Sequence, residues 1–392
     1  MVPGEKGNEA FPLDSSSPRA KISRTLRQWI ESGRLPEGEA IPSEQVLADH
    51  FNSSRATVRT VLKELEHEGV LALMNKRRVV VDRPRQQDPI VADTVITLAT
   101  WPDSPIDQMS PGFLIYIQIG VQQELAKSQI GCLTLNPEQL TPDRIERMAV
   151  NRPMGIIAFR DKAMPSISMQ QLNEIQAMDI PITLYGYDHE LNPFDTVQSD
   201  QEAGTYQLTR YLIKQCDCRR IMRFWELRID ESPYFNWLHQ RDCGYERAMT
   251  EAGLEVVPPL CSKDLPFDLD TYEKFQMKAS YSAWVLGEAL NADPDVDAIM
   301  AVSDGEVSNI ATACRMIGRT PGEDIHIVGY DNYYNCIPLR QWEPYVPPAT
   351  IDKCNYEIGC ELVRLLNARI AGRLDREPSH VQVPPQLITF TT

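Results

Sequence analysis

The chain has 392 residues, enough for two or three domains, and 42% are apolar, too many for a disordered polymer. No apolar run approaches the ~20 residues of a membrane-spanning helix. The nine cysteines follow no disulfide or zinc spacing and point to a reduced, cytoplasmic chain without a structural metal. A net charge of −16 argues against nucleic acid until its distribution is read: residues 1–85 carry +2 and the remainder −18, with Lys76, Arg77, Arg78, Arg83 and Arg85 clustered.

Residues 1–17 lack the basic start and apolar stretch of a signal peptide and read as a flexible leader. Pro18 opens a helix whose apolar stripe is Ile22, Leu26, Trp29 and Ile30, and Gly33 stops it. After a turn at Leu35–Gly38, Ser43 is placed to cap a short second helix, with Glu44 in its first turn and Val46, Leu47 and Phe51 turned inward. A third helix starts near Ser54: Val58, Val61, Leu62 and Leu65 face the core, and Arg55, Arg59 and Lys63 share another face. Val70–Leu73 and Val79–Val81 read as a hairpin with a basic turn. An arginine stripe alone is usually a solvated face. On a helix that follows a short turn and adjoins a basic hairpin, it points to a winged helix-turn-helix whose third helix enters the major groove.

Leu35-Pro36-Glu37-Gly38, Ile41-Pro42-Ser43-Glu44, Leu47-Ala48, Ser54-Arg55-Ala56-Thr57-Val58-Arg59, Leu62, Leu65 and Glu68-Gly69-Val70-Leu71 resemble the DNA-binding domain of the GntR family. The resemblance implies that Ser54, Arg55, Thr57 and Arg59 contact operator DNA. Gln45 stands where the family often carries a DNA-contacting arginine. The wing turn, Asn75-Lys76-Arg77-Arg78, lacks the usual glycines, so Lys76, Arg77 and Arg78 are expected to hold DNA by charge.

Residues 84–92 read as a polar, proline-containing linker after a DNA-binding domain at 18–83. From 93 onward, short apolar runs alternate with helical patterns. Strands are expected at Ile96–Thr100, Cys132–Leu135, Gly155–Phe159, Ile182–Tyr185, Ile221–Trp225, Ala298–Ser303 and Ile325–Tyr330. Helices are expected at Phe113–Ser128, Glu202–Lys214, Gln240–Ala252, Thr271–Leu290 and Glu306–Ile317. This alternation implies an α/β domain of parallel sheets, and its length implies two lobes. Ligands of such sheets sit beyond the strands' carboxyl ends. There stand Trp101 and Asp103, Arg160, Ser303 and Asp304, and Asp331, a polar and aromatic set suited to a polyhydroxylated ligand; Asp304 equally suits a helix cap.

The order Thr196–Asp200 with Ala203-Gly204, Arg241–Tyr245, Asp297–Asp304, Ile325–Asn332 and Ala349–Asp352 resembles the effector domain of LacI/GalR regulators, itself similar to periplasmic sugar-binding proteins. The resemblance implies effector contacts at Arg241, Ser303, Asp304 and Asp331, with Asp200 near the cleft. Two departures are Cys216-Asp217-Cys218 in place of Gly-His, and a longer, tryptophan-rich stretch at 224–238. The expected lobes are 93–217 with 351–372, and 218–350 with 373–392.

A GntR head on such a domain resembles the arabinose-repressor type of regulator. It implies a homodimeric repressor of carbohydrate-utilisation genes released by a sugar, with no cofactor. An activator, or a regulator with a co-repressor or non-sugar effector, fits the same architecture. No phosphate-binding loop, nucleophile elbow or zinc-protease motif supports an enzyme.

Overall fold

The computed structural model describes residues 18–31, 33–36, 38–67, 70–74, 77–81, 93–99, 113–160, 167–227, 236–263 and 269–390. The chain forms two compact units, residues 1–86 and 87–392. Among the described residues no helix is long and apolar enough to cross a membrane. The expected leader and linker, with Lys76, Trp101 and Asp103, lie outside the described residues.

The first unit contains α1 (Pro18–Glu31), α2 (Glu44–His50), α3 (Arg55–His67), β1 (Leu71–Met74) and β2 (Arg77–Val80). Ile22 and Leu26 meet Leu47, Val58, Val61, Leu62, Leu65, Leu71 and Val80 in one core, as the helical spacing predicts. β1 and β2 pair antiparallel, Leu71 opposite Val80 and Met74 opposite Arg77. The turn after α1 adds a bridge from Ala40 to Val79, and Gly38 at φ +77° donates to the Val80 carbonyl. The hairpin is thereby tied back to the helices.

The second unit is two-lobed. Lobe 1 has a parallel six-stranded sheet ordered β13-β7-β6-β5-β3-β4. These strands are β3 (Thr94–Leu98), β4 (Gly131–Leu135), β5 (Gly155–Phe159), β6 (Ile182–Tyr185), β7 (Asp195–Ser199) and β13 (His380–Val383). On one face lie α4 (Phe113–Lys127) and α11 (Asn355–Ile370), and on the other α5 (Pro142–Val150) and α6 (Met169–Gln176). α4 and α11 approach closely because both carry glycine at the crossing: a Cβ on Gly120 would overlap the Tyr356 carbonyl, and one on Gly359 the Ile117 carbonyl.

Lobe 2 has a parallel four-stranded sheet ordered β11-β10-β8-β9, from β8 (Ile221–Leu227), β9 (Leu260–Lys263), β10 (Ala298–Ala301) and β11 (His326–Val328). α7 (Gln201–Gln215) and α8 (Asn236–Glu251) cover one face; α9 (Tyr272–Ala292) and α10 (Asp304–Met316) cover the other. β12 (Ala349–Asp352) and β14 (Gln386–Thr389) form an antiparallel pair against α7.

Two expected lobe boundaries are corrected. α7, expected in lobe 1, buries Leu208, Leu212 and Ile213 against Ile221, Met300 and Val328 of lobe 2, so the first crossing falls at 199–201 and not near Asp217. Residues 380–383, expected in lobe 2, hydrogen-bond to β7 of lobe 1, Val381 opposite Val197. The remaining crossings lie at 352–355, where Cys354 takes φ +57°, and between Val383 and Gln386. β14 does return to lobe 2, where Phe390 packs on its core.

Candidate DNA-reading face and effector cleft

In the first unit, Ser43 caps α2 by accepting from the Val46 N–H at 3.4 Å. Ser54 performs the same task for α3: its Oγ accepts from the Thr57 N–H at 3.1 Å and lies 2.8 Å from Thr57 Oγ1. Gln45 donates to Asp49 one turn on, at 2.9 Å. Arg55 and Arg77 are exposed, and among the described residues neither has an ion-pair partner.

Arg59 and Arg78 are held differently. Glu44 takes Arg59 Nε and Nη2 at 2.9 and 2.7 Å, and Arg78 Nη1 at 2.8 Å; Arg78 Nε also reaches Glu66 at 2.5 Å. The hydrogen bonds from Arg59 and then Arg78 hold the Glu44 carboxyl down to about 2. One carboxylate thus joins α2, α3 and the wing. Arg78, only 19% exposed, braces the wing from inside; the sequence placed it on the DNA-facing turn.

In the second unit, Arg241 on α8 is buried in lobe 2 near the strand ends. Its Nε donates to Gln201 Oε1 at 2.9 Å and its Nη1 to the Val302 carbonyl at 2.6 Å. The guanidinium lies 3.5 Å from the Tyr330 ring centroid and 4.6 Å from that of Trp237. Nη2 faces Asp331 at 3.9 Å. Asp331, at φ +91°, is also 2.8 Å from Lys353 Nζ, on the crossing after β12. A cation held by its flat faces, with an N–H edge turned to a carboxylate, offers donor and acceptor side by side, the pairing that vicinal hydroxyls need.

Lobe 1 meets this group through Tyr187, which follows β6. Its hydroxyl accepts from Gln201 Nε2 at 2.8 Å and from the Ser199 N–H at 3.3 Å. Its carbonyl accepts from Asn236 Nδ2 at 2.6 Å, a bond from lobe 2 to lobe 1. Ser303 stands at the N-terminus of α10, and its Oγ accepts from Tyr333 Oη at 2.9 Å. Asp200 caps α7, accepting from the Ala203 N–H at 2.8 Å.

Asp304 does not line the cleft. It is wholly buried: Oδ1 accepts from Thr350 Oγ1 at 2.7 Å, and Oδ2 from the N–H groups of Tyr333 and Tyr334 at 2.9 and 3.0 Å. It fastens α10 to β12 and to the loop after β11. Burial pushes its carboxyl up to about 7 against these donors. Arg160 also turns away, donating to the Ile167 carbonyl at 3.2 Å and to Glu190 at 2.8 Å.

The sequence reading passed over Tyr187, Gln201, Trp237 and Lys353. Gln201 directly follows Asp200, and Trp237 lies one helical turn before Arg241, a spacing that puts both on one face. The tryptophan-rich stretch therefore furnishes part of the site.

This geometry defines a class: a helix-turn-helix unit joined to a two-lobed α/β domain with a cluster of polar side chains where its lobes meet. Residues 18–81 match the gntR family of bacterial regulatory proteins, and residues 209–389 match the periplasmic binding protein-like domain. The chain therefore carries a GntR DNA-binding domain and a periplasmic-binding-protein-like domain. It is 24% identical over 372 residues to the arabinose metabolism transcriptional repressor of Geobacillus stearothermophilus, covering 94% of this chain and 95% of that one. Its fold is similar to that of the transcriptional regulator CelR in complex with cellobiose, with a TM-score of 0.54 and 21% identity over 89% of this chain and 99% of that one. It is also similar to a LacI family regulator from Enterococcus faecium with bound ribose, with a TM-score of 0.52 and 20% identity over 76% of this chain and 97% of that one.

Proposed function

We propose that the protein is a sequence-specific transcriptional repressor of carbohydrate-utilisation genes, cytoplasmic and homodimeric, which leaves its operator when a sugar enters the cleft. It acts by binding and carries out no catalysis. The observation that carries this reading is Arg241, buried, stacked on Tyr330 and Trp237, and edge-on to Asp331. The named activity of the arabinose repressor, similar along nearly the whole chain, supports the same reading. Ser54, Arg55, Thr57 and Gln45 form the DNA-reading face, with Arg77 on the wing and Arg59 oriented by Glu44. Arg241, Asp331, Ser303 and Lys353 form the lobe-2 side of the cleft, and Tyr187 reaches it from lobe 1.

Repression is relieved if the effector binds one lobe arrangement more tightly than the other and so shifts their populations. The test is a gel shift with DNA fragments selected from a random library by the wild-type protein, with and without pentoses and hexoses. Wild-type protein is expected to release DNA with one sugar. Arg241→Ala is expected to stay bound in its presence, because losing the charged donor costs about 1.5–3 kcal/mol, roughly ten- to a hundredfold in affinity. Release of the Arg241→Ala variant at the wild-type sugar concentration would remove the cleft from the reading.

A further inference from the structure

α7 packs on lobe 2 through Thr205, Leu208, Thr209 and Leu212 and turns a second face outward. On that face Tyr206, Arg210 and Lys214 follow one another one helical turn apart, with Gln207, Tyr211 and Gln215 in the adjoining row. Together with Leu387 of β14, the two rows line a cavity of about 360 Å³, within the ~300–1,000 Å³ of small-molecule sites. The cavity shares no residue with the Arg241 group, and Lys214 lies about 20 Å along α7 from Gln201.

Arg210 is held ready to bind. Its Nη1 donates to the Tyr206 hydroxyl at 2.6 Å and is 4.0 Å from Glu251; that hydroxyl in turn donates to Glu251 at 2.5 Å. The Tyr206 ring is fixed by two guanidinium groups, Arg210 at 5.3 Å from its centroid and Arg247, itself paired with Glu202, at 4.1 Å. The Nε–Nη2 edge of Arg210 and the Lys214 ammonium have no partner among the described residues. α7 carries no acidic residue after Glu202, although the second unit as a whole is strongly acidic. Two cations one turn apart repel each other, and an anion seated between them replaces that repulsion with attraction. A guanidinium edge donates to two phosphate oxygens side by side, and a lysine ammonium donates to a third.

The rest of the lining suits the carbon frame and hydroxyls of a polyol. Gln207 and Gln215 each present an amide with donor and acceptor, and neither side chain has a partner among the described residues. Tyr211 donates to the Pro348 carbonyl at 3.4 Å, which anchors its ring, and with Leu387 it packs on the core of lobe 2 as an apolar wall.

We propose that this cavity is a second ligand site, apart from the cleft, for a phosphate monoester of a small sugar or polyol. Arg210 and Lys214 take the phosphate, Gln207 and Gln215 the hydroxyls, and Tyr211 with Leu387 the carbon frame. The site stands whether or not the cleft binds a sugar.

The test is calorimetric titration of the full chain at low salt, where exposed cations are least screened. The probes are D-glucose 6-phosphate, D-ribose 5-phosphate and glycerol 3-phosphate, each against its unphosphorylated parent and against inorganic phosphate. One ester is expected to bind at least tenfold more tightly than both its parent and inorganic phosphate. Lys214→Gln and Arg210→Gln are each expected to weaken that ester about tenfold. Lys214 has no partner to lose, so the melting temperature of Lys214→Gln without ligand should stay at the wild-type value. Arg241→Ala should leave the ester's affinity unchanged. If no ester binds more tightly than its parent and inorganic phosphate, the site is overturned. An ester affinity that survives both Lys214→Gln and Arg210→Gln, or that is lost in Arg241→Ala, overturns it as well and moves the ester elsewhere, in the latter case to the cleft.

Discussion

Glu44 offers a quantitative test of how the DNA-binding unit is held together. Its carboxylate accepts from Arg59 on α3 and Arg78 on the wing, and is held at about 2 against an ordinary value of 4.5. At about 1.4 kcal/mol per pH unit, that difference sets a ceiling of about 3.4 kcal/mol. The Arg59 side chain is 51% exposed, so water screens its arm, and about 1–1.5 kcal/mol is the realistic loss in Glu44→Gln. For a domain of this size the loss lowers the melting temperature by about 5–10 °C. Differential scanning calorimetry of the full chain at pH 7 resolves it as a shift of the first unit's transition. Because the folded-state value is depressed, the stabilisation is complete above pH 4.5 and disappears as the pH falls through about 2. The difference between wild type and variant should follow that course. Removing one negative charge from the DNA-binding face should also steepen the salt dependence of operator binding by about one. A melting temperature at pH 7 within a degree of wild type would show that Glu44 bears no load between the helices and the wing.

Other substitutions separate reading, bracing and closure. Arg55→Ala should weaken operator binding by about 1–3 kcal/mol and relax specificity at one base pair, whereas Arg77→Ala should weaken all sequences alike and reduce the salt slope by about one; competition gel shifts distinguish them. Asp304→Asn should lower the urea midpoint, because an amide cannot satisfy all three donors now on the carboxylate, a loss of about 1–3 kcal/mol. The wild-type folded value is raised to about 7. The protonated form's contribution is therefore complete below pH 3.8 and is lost as the pH rises through about 7; the variant should lack this slope between urea midpoints at pH 5 and pH 8. Tyr187→Phe leaves the Gln201 amide and the Ser199 N–H without their acceptor, and about tenfold weaker sugar binding by calorimetry is expected, with DNA affinity in the absence of sugar unchanged.

The elements were legible because their signals are local. The bounds of β5 and β6 agree with the apolar runs Gly155–Phe159 and Ile182–Tyr185, and helical periodicity selects most of the first unit's core; Val46, expected to turn inward, is instead 55% exposed, because on so short a helix Leu47 and Ala48 face the core. Arg241 and Asp331, far apart in sequence and singled out by their motifs, stand 3.9 Å apart. What escaped depends on partners distant in sequence. Arg78 looks like a wing cation until Glu44, 34 residues earlier, is seen to hold it. Asp304 stands at a strand end, where a side chain can enter the cleft or turn beneath it; Thr350, 46 residues later, decides the matter. His380–Val383 carries only a short alternating pattern, which names a strand without naming its sheet.

The corrected crossings change how the cleft is to be understood. They fall at 199–201, 352–355 and between β13 and β14, and the polar site is built on the first two. Gln201 leaves the first crossing to join Tyr187 of lobe 1 to Arg241 of lobe 2. Lys353 lies in the second, on Asp331, and Asp304 fastens β12 just before it through Thr350. A ligand that takes up the Arg241 edge and the Asp331 carboxylate therefore competes for bonds that also fix the hinge. For the proposed effector, an affinity that differs between lobe arrangements is the expected consequence, because the atoms it needs are positioned by the segments that cross between the lobes. That difference is what the proposed switch requires, and on this reading it would arise from where the chain crosses between the lobes.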